Sequence, residues 1–131
     1  KGTRVNFEKV AFGFFILLAM TLNFGFFYGT IDEPSHHHVW ELFAAVIVNV
    51  IATILKFGDR TQMGALLLAT SLVADLQLIV AAVLWAMAVY ATADGLSPSA
   101  MASIVSLSGG ALLANVTSVV LLVIEAVMLR R

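Results

Sequence analysis

Apolar residues run along this chain in long stretches, interrupted at three places by short polar segments. The stretches cover residues 10–28, 39–55, 63–93 and 100–129, and the interruptions read GTIDEPSHHH, KFGDRTQ and DGLSPS. Each stretch approaches or exceeds the roughly 20 apolar residues that carry a helix across a bilayer core. The gaps hold the helix breakers Pro34, Gly58 and Pro98, and Ser97 followed by Pro98 is a helix-start signature. The pattern predicts an all-α membrane protein, with residues 1–131 forming a single domain of four transmembrane helices. The third stretch is longer than one crossing requires. At a rise of about 1.5 Å per residue it runs roughly 46 Å, against a hydrocarbon thickness of about 30 Å. One continuous tilted helix is expected there, because no Gly or Pro follows Gly64 within it. A re-entrant break near TSLVAD is the alternative.

Composition agrees with the pattern. The chain is 61% hydrophobic and 11% charged, with a mean hydropathy of +1.01, well beyond the apolar share of about 45–50% in soluble domains. The net charge of -1 says little, because what matters is where the charges fall. Lys1, Arg4 and Lys9 precede the first stretch, Lys56 and Arg60 flank the second gap, and Arg130 and Arg131 end the sequence. The other two gaps hold no Lys or Arg. Basic residues are retained on the cytoplasmic side, so both termini are expected inside and the histidine-bearing gap outside. Such an asymmetry argues against a dual-topology antiparallel dimer. Tyr28, Trp40 and Tyr90 then fall near the outer boundary, where amphipathic rings are favoured. The first stretch is too long for a signal-peptide core and has no small-residue cleavage site, so it is expected to be retained.

Several chemistries drop out. There is no cysteine, which removes disulfides, thiol catalysis and iron–sulfur ligation. No HExxH, GxSxG, P-loop or dinucleotide fingerprint occurs, and the histidines lie together rather than facing one another as haem ligands would. Neither catalysis, nor a cofactor, nor a nucleic-acid partner is expected.

Polar residues inside the apolar stretches carry the functional question. Asp75, in ATSLVADLQLI, lies near the middle of its helix. An ionised carboxylate at that depth costs about 2.5–3.5 kcal/mol on insertion scales. The acid must therefore be neutral, or meet water, a cation or hydrogen-bond donors. Ser71 stands one turn before it, with Thr70 and Gln77 on an adjoining arc. The second helix offers His37, Glu41, Ala45, Asn49 and Thr53 at a spacing of four, a seam running inward from the outer surface. Asp75, Gln77, Thr70, Ser71 and Asn49 form the candidate ion pathway, while Asn49, Gln77 and Asn115 can also be read as interhelical glue. Gly25 and Gly29, and the stripe Ala102, Ser106, Gly110, Ala114 and Ser118, are candidate close-packing positions.

The outer segment DEPSHHHVWE gathers Asp32, His36, His37, His38 and Glu41. Three readings stay open: a metal site, with His37 and Glu41 at i,i+4; a pH sensor; and a solvated capping loop with Asp32 or Ser35 as cap.

The stretches NFEKVAFGFFILLAMTLNFGFF, IDEPSHHHVWELFAA and LKFGDRTQMGALLLATSLVADLQLI resemble a family of short bacterial inner-membrane proteins classed as a domain of unknown function, over about residues 5–90. The resemblance implies a multi-pass protein of the bacterial cytoplasmic membrane and assigns no residue a role. The expected partners are the lipid bilayer, further copies of the chain packed through small-residue seams, and small cations. An oligomeric cation-conducting channel is the leading expectation. A proton-coupled exporter of small or metal cations and a non-transporting scaffold subunit are the alternatives.

Overall fold

The computed structural model describes residues 7–129, so Lys1, Arg4, Arg130 and Arg131, on which the orientation argument partly rests, lie outside the described residues. Four helices follow one another: α1 (Phe7–Phe27), α2 (Val39–Lys56), α3 (Gln62–Ala91) and α4 (Pro98–Leu129). All four are long and apolar enough to cross a membrane. A single 3-10 turn, Pro34–His36, interrupts the α1–α2 connection.

Local chemistry sets the helix starts. The Thr61 hydroxyl accepts the Gly64 N–H (2.9 Å) at the head of α3. Ser97 does the same for the Ala100 N–H (3.1 Å) at the head of α4, whose first residue is Pro98. α3 runs as one helix of 30 residues, without a re-entrant break. Ala, Leu and Val keep its backbone bonds internal, which is what a bilayer demands of a spanning segment.

The chain runs up and down, with each helix packed on its sequence neighbour and α4 closing the ring against α1. The end with the 28–38 and 92–97 connections is called the histidine end, and the end with Lys9, Lys56 and Arg60 the basic end. Large apolar side chains such as Phe14, Trp40, Ile47, Leu76, Tyr90 and Leu113 point outward, as lipid-facing positions should.

Inside the ring the apolar core falls into two clusters. One, at the histidine end, is built on Phe26, Leu42, Leu78, Met101, Ile104 and Val105. The other, at the basic end, is built on Phe12, Ile16, Ala52 and Leu67. The bundle is thus plugged by hydrocarbon near each end, and polar side chains occupy the middle.

Glycines allow close approach at specific points. A Cβ on Gly110 would lie 2.6 Å from Gln77 Nε2, and one on Gly109 would lie 2.8 Å from Phe27 Cε1. Gly25 lies under the Glu41 carboxylate. Gly29 departs from the expected pairing with Gly25: α1 ends at Phe27, and Gly29 sits in the following loop at φ +116. That conformation suits glycine, and Gly29 serves the turn rather than helix packing.

The stripe on α4 also needs correction. Its buried face is Met101, Ile104, Val105, Ser108, Ala111, Asn115 and Ser118, whereas Ser106 is exposed. A strict spacing of four drifts about 40° per step on a helix of 3.6 residues per turn. Ser118 stays on the buried face, Ala114 and Gly110 are half-buried beside it, and Ser106 is carried to the outer side.

Candidate functional site

Asp75 lies in the α2–α3 interface, 8% exposed. Its Oδ1 accepts from Asn49 Nδ2 (2.6 Å) and its Oδ2 from the Thr53 hydroxyl (2.6 Å). Asn49 Nδ2 also lies 3.3 Å from the Ser71 carbonyl oxygen, and the Thr53 hydroxyl lies 3.0 Å from that of Asn49. The arrangement follows from spacing: Asn49 and Thr53 are one turn apart on α2, Ser71 and Asp75 one turn apart on α3, and the antiparallel helices bring the two pairs together. A threonine hydroxyl has one hydrogen to give. It goes to Asp75, or it goes to the Asn49 carbonyl while Thr53 accepts from a carboxylic O–H. Thr53 stood on the expected seam but outside the pathway set, although its i+4 spacing from Asn49 was the signal for it.

The expected pathway residues divide between two interfaces. Asp75, Ser71 and Asn49 come together against α2. Gln77 and Thr70 face α4, where the Gln77 amide rests on Gly110 and the Thr70 hydroxyl is bonded to that of Ser118 (2.5 Å). Positions 70 and 77 are seven apart and share a helical face, while 71 and 75 share another.

A polar layer lies between α2, α3 and α4 at this level, and further polar side chains are buried nearer the histidine end. Asn23 of α1, Asn49 of α2, Ser71 of α3, and Ser108 and Asn115 of α4 are all fully buried. Oriented to suit its neighbours, the Asn23 amide donates to the Ser108 carbonyl oxygen and accepts from the Leu112 N–H, both at 3.0 Å. Several buried atoms find no hydrogen-bond partner among the described residues: Asn49 Oδ1, Ser71 Oγ, Gln77 Oε1, Ser108 Oγ and both amide atoms of Asn115.

Among the described residues no group of three or more His, Asp or Glu side chains is placed to hold a metal ion. α2 begins at Val39, so His37 precedes the helix in extended backbone and does not share a helical face with Glu41. It turns instead toward the end of α1, where its Nδ1 lies 2.5 Å from the Phe26 carbonyl oxygen and its Nε2 lies 2.7 Å from that of Thr30. Both ring nitrogens are thus turned to backbone carbonyl oxygens rather than to a metal. His36 Nδ1 accepts the Thr30 N–H (3.0 Å), and Asp32 and His38 are exposed. The cap of the 3-10 turn is Glu33, whose Oε2 accepts the Ser35 hydroxyl at 2.9 Å. That bond holds the Glu33 carboxyl below its ordinary range.

At the basic end Lys56 is buried, with its Nζ 3.3 Å from Asp59 and 4.6 Å from the centre of the Phe12 ring. Asp59 Oδ1 accepts the hydroxyl (2.7 Å) and N–H (2.9 Å) of Thr61. These bonds, with help from Lys56, lower its carboxyl to about 2. Lys9 pairs with Glu125 at 3.0 Å.

The fold and the buried layer define a four-helix membrane protein with an acid held among neutral side chains at mid-bundle. The model of a family of unknown function, DUF6394, matches residues 36–126, and the chain belongs to that family. No curated protein and no solved structure matches the chain. The matched stretch begins later and reaches further than the expected resemblance, and it contains Asn49, Thr53, Ser71, Asp75, Ser108 and Asn115.

Proposed function

We propose that this protein carries a small cation across the bilayer in exchange for protons, with Asp75 as the group that takes up and releases the proton. One observation supports this reading above the others: the Asp75 carboxyl is enclosed at mid-bundle, and its hydrogen-bond partners are the neutral Asn49 and Thr53. An acid so placed is stable in hydrocarbon when its charge is cancelled, by a proton or by a bound cation. A proton on Oδ2 closes the local chain, because Thr53 then accepts from Asp75 and donates to the Asn49 carbonyl while Asn49 donates to Oδ1. Loss of that proton leaves a carboxylate ready for a cation. An open channel lined by Asp75 would require α2 and α3 to part, so exchange at an enclosed site suits this geometry better.

The same reading keeps the basic end and both termini in the cytoplasm of a bacterial cell. It takes the exposed Ser106 face of α4 as the seam available to a second copy. The chain has no cysteine, so single cysteines at Ser35 and Arg60 can report the orientation by their access to an impermeant thiol reagent. Labelling of Arg60→Cys from outside the cell would overturn it, and a purely monomeric species in native mass spectrometry would remove the second copy.

The transport test uses protein in liposomes. Cation uptake driven by a pH gradient is expected, collapsing when the gradient is dissipated and lost in Asp75→Asn. Absence of flux for Na+, K+ and a divalent-metal panel would defeat the proposal. A second reading, a non-transporting scaffold with Asp75 as an interhelical hydrogen-bond acceptor, is favoured by the short bonds at both carboxyl oxygens. Reduced stability of Asp75→Asn without any wild-type flux would support it.

A further inference from the structure

We infer that the polar layer binds one alkali-metal cation beside Asp75, and that this ion competes with the proton for the carboxylate. The inference rests on the transport reading for its physiological role and on the layer's own chemistry for the ligand.

Three features converge. First, the layer separates the two apolar clusters, with Phe26 and Leu78 on one side and Phe12 and Leu67 on the other. An ion held there is closed off from both aqueous phases by hydrocarbon. Second, three helices send a fully buried polar side chain inward near this level: Asn49 from α2, Ser71 from α3 and Asn115 from α4. The α3–α4 register is fixed by Thr70 bonded to Ser118 and by Gln77 on Gly110. Asn115 comes three residues before Ser118, so in antiparallel packing it falls level with the α3 turn from Ser71 to Asp75. Third, the unpartnered atoms include oxygens on three elements: Asn49 Oδ1 from α2, Ser71 Oγ from α3 and Asn115 Oδ1 from α4. Buried polar atoms at membrane depth need partners, and a cation satisfies oxygens that other oxygens cannot.

The donor set also selects the ion. These ligands are hard oxygens, without thiolate or imidazole, which disfavours zinc, copper and nickel. A single carboxylate balances one positive charge, so a divalent ion would leave an excess charge inside the bilayer. Rotating the Asn49 amide about its last side-chain bond replaces the N–H aimed at Asp75 with an oxygen, converting a hydrogen-bonded carboxyl into part of a cation cage. Asp75 is the sole titratable member of the layer among the described residues: α2 contributes Asn49 and Thr53, α3 Ser71 and α4 Asn115, while the α1 side chain Asn23 and Ser108 of α4 lie nearer the histidine end and are also neutral.

The test measures binding on purified full-length protein in lipid nanodiscs, apart from any flux. NaCl and KCl are titrated against choline chloride at constant ionic strength, with thermal midpoint and proton release to a pH indicator as readouts. A saturable rise in midpoint with Na+ or K+ and not with choline is expected, together with proton release that vanishes in Asp75→Asn. Ser71→Ala, a change too small to disturb packing, is expected to weaken binding by roughly tenfold, and Asn115→Leu by at least as much. Equal responses to all three salts, or binding unchanged in both Ser71→Ala and Asn115→Leu, would overturn the inference. Proton-coupled flux of another cation without an alkali-metal effect would overturn it and leave the transport proposal standing. Saturable Na+ or K+ binding without flux would do the reverse.

Discussion

Two aspartates of the α2–α3 hairpin each receive a threonine hydroxyl, Asp59 from Thr61 at 2.7 Å and Asp75 from Thr53 at 2.6 Å, yet their surroundings differ in charge. Asp59 lies in the connection between the helices and is completed by the Thr61 N–H and the Lys56 ammonium. Its negative charge is fully provided for, and the carboxyl works as a turn-former ahead of the Thr61 cap. Asp75 lies about four turns further along, among amide and hydroxyl groups that bring no charge to offset its own. The difference teaches that a hydrogen-bonded acid is structurally finished when a cation comes with the donors. Without one, its charge has to be cancelled in another way, by a proton or by a bound cation.

The strongest way to break this contrast is to remove each charge in turn. Asp75→Asn is expected to reduce proton-coupled uptake by roughly tenfold or more, while Asp59→Asn leaves uptake near wild type. Equal losses in the liposome assay would erase the distinction. Next in size is the loss of a threonine hydroxyl. Thr53→Val keeps the volume but strips Asp75 Oδ2 of its partner, and a loss of about 1–3 kcal/mol in unfolding from mild detergent is expected. Thr61→Val removes the α3 cap at a more exposed position and should cost about 1 kcal/mol in the same experiment. If Thr61 proved the costlier of the two, the buried site would be less constrained than its short bonds imply.

The smallest effect concerns pH. Asp59 has its folded-state carboxyl lowered to about 2, so it binds a proton less readily folded than unfolded. Its contribution is fully present above the ordinary carboxylate range and is lost as pH falls through that range toward about 2. Exposure to solvent keeps the effect small. Comparing wild type with Asp59→Asn should show a stability difference at neutral pH that fades in acid, and a difference independent of pH would refute the assignment.

The four helices were legible because apolar runs of this length admit few other folds in a chain this poor in charge. Ser97 and Pro98 also marked the start of α4 by side-chain chemistry alone. The seam through Asn49 and Thr53 pointed at the right face of α2, and Asp75 was conspicuous as an acid in hydrocarbon. What sequence did not supply was which neighbour each face meets. Thr70 and Gln77 looked like companions of Asp75 because they are near it in the chain, but seven-residue spacing sends them together toward α4. The His37–Glu41 pairing failed for a related reason: i,i+4 proximity exists only inside a helix, and α2 begins after His37. Gly29 and Ser106 were misplaced by extending a spacing past a helix end, or by ignoring its slow rotation.

Helix length has a consequence of its own. α1 and α2 contain 21 and 18 residues, whereas α3 and α4 contain 30 and 32. At about 1.5 Å per residue the first pair spans roughly 27–32 Å and the second roughly 45–48 Å. No single bilayer thickness matches both. The short pair is matched by an ordinary hydrocarbon layer, while the long pair must lean or stand proud of it. Swapping acyl chains for longer or shorter ones therefore pulls unequally on the two halves of the ring. The shear falls on the α2–α3 and α1–α4 seams, and the first of these is the one that holds Asp75. Lipid chain length becomes a mechanical input to the acid's surroundings, transmitted without any ligand.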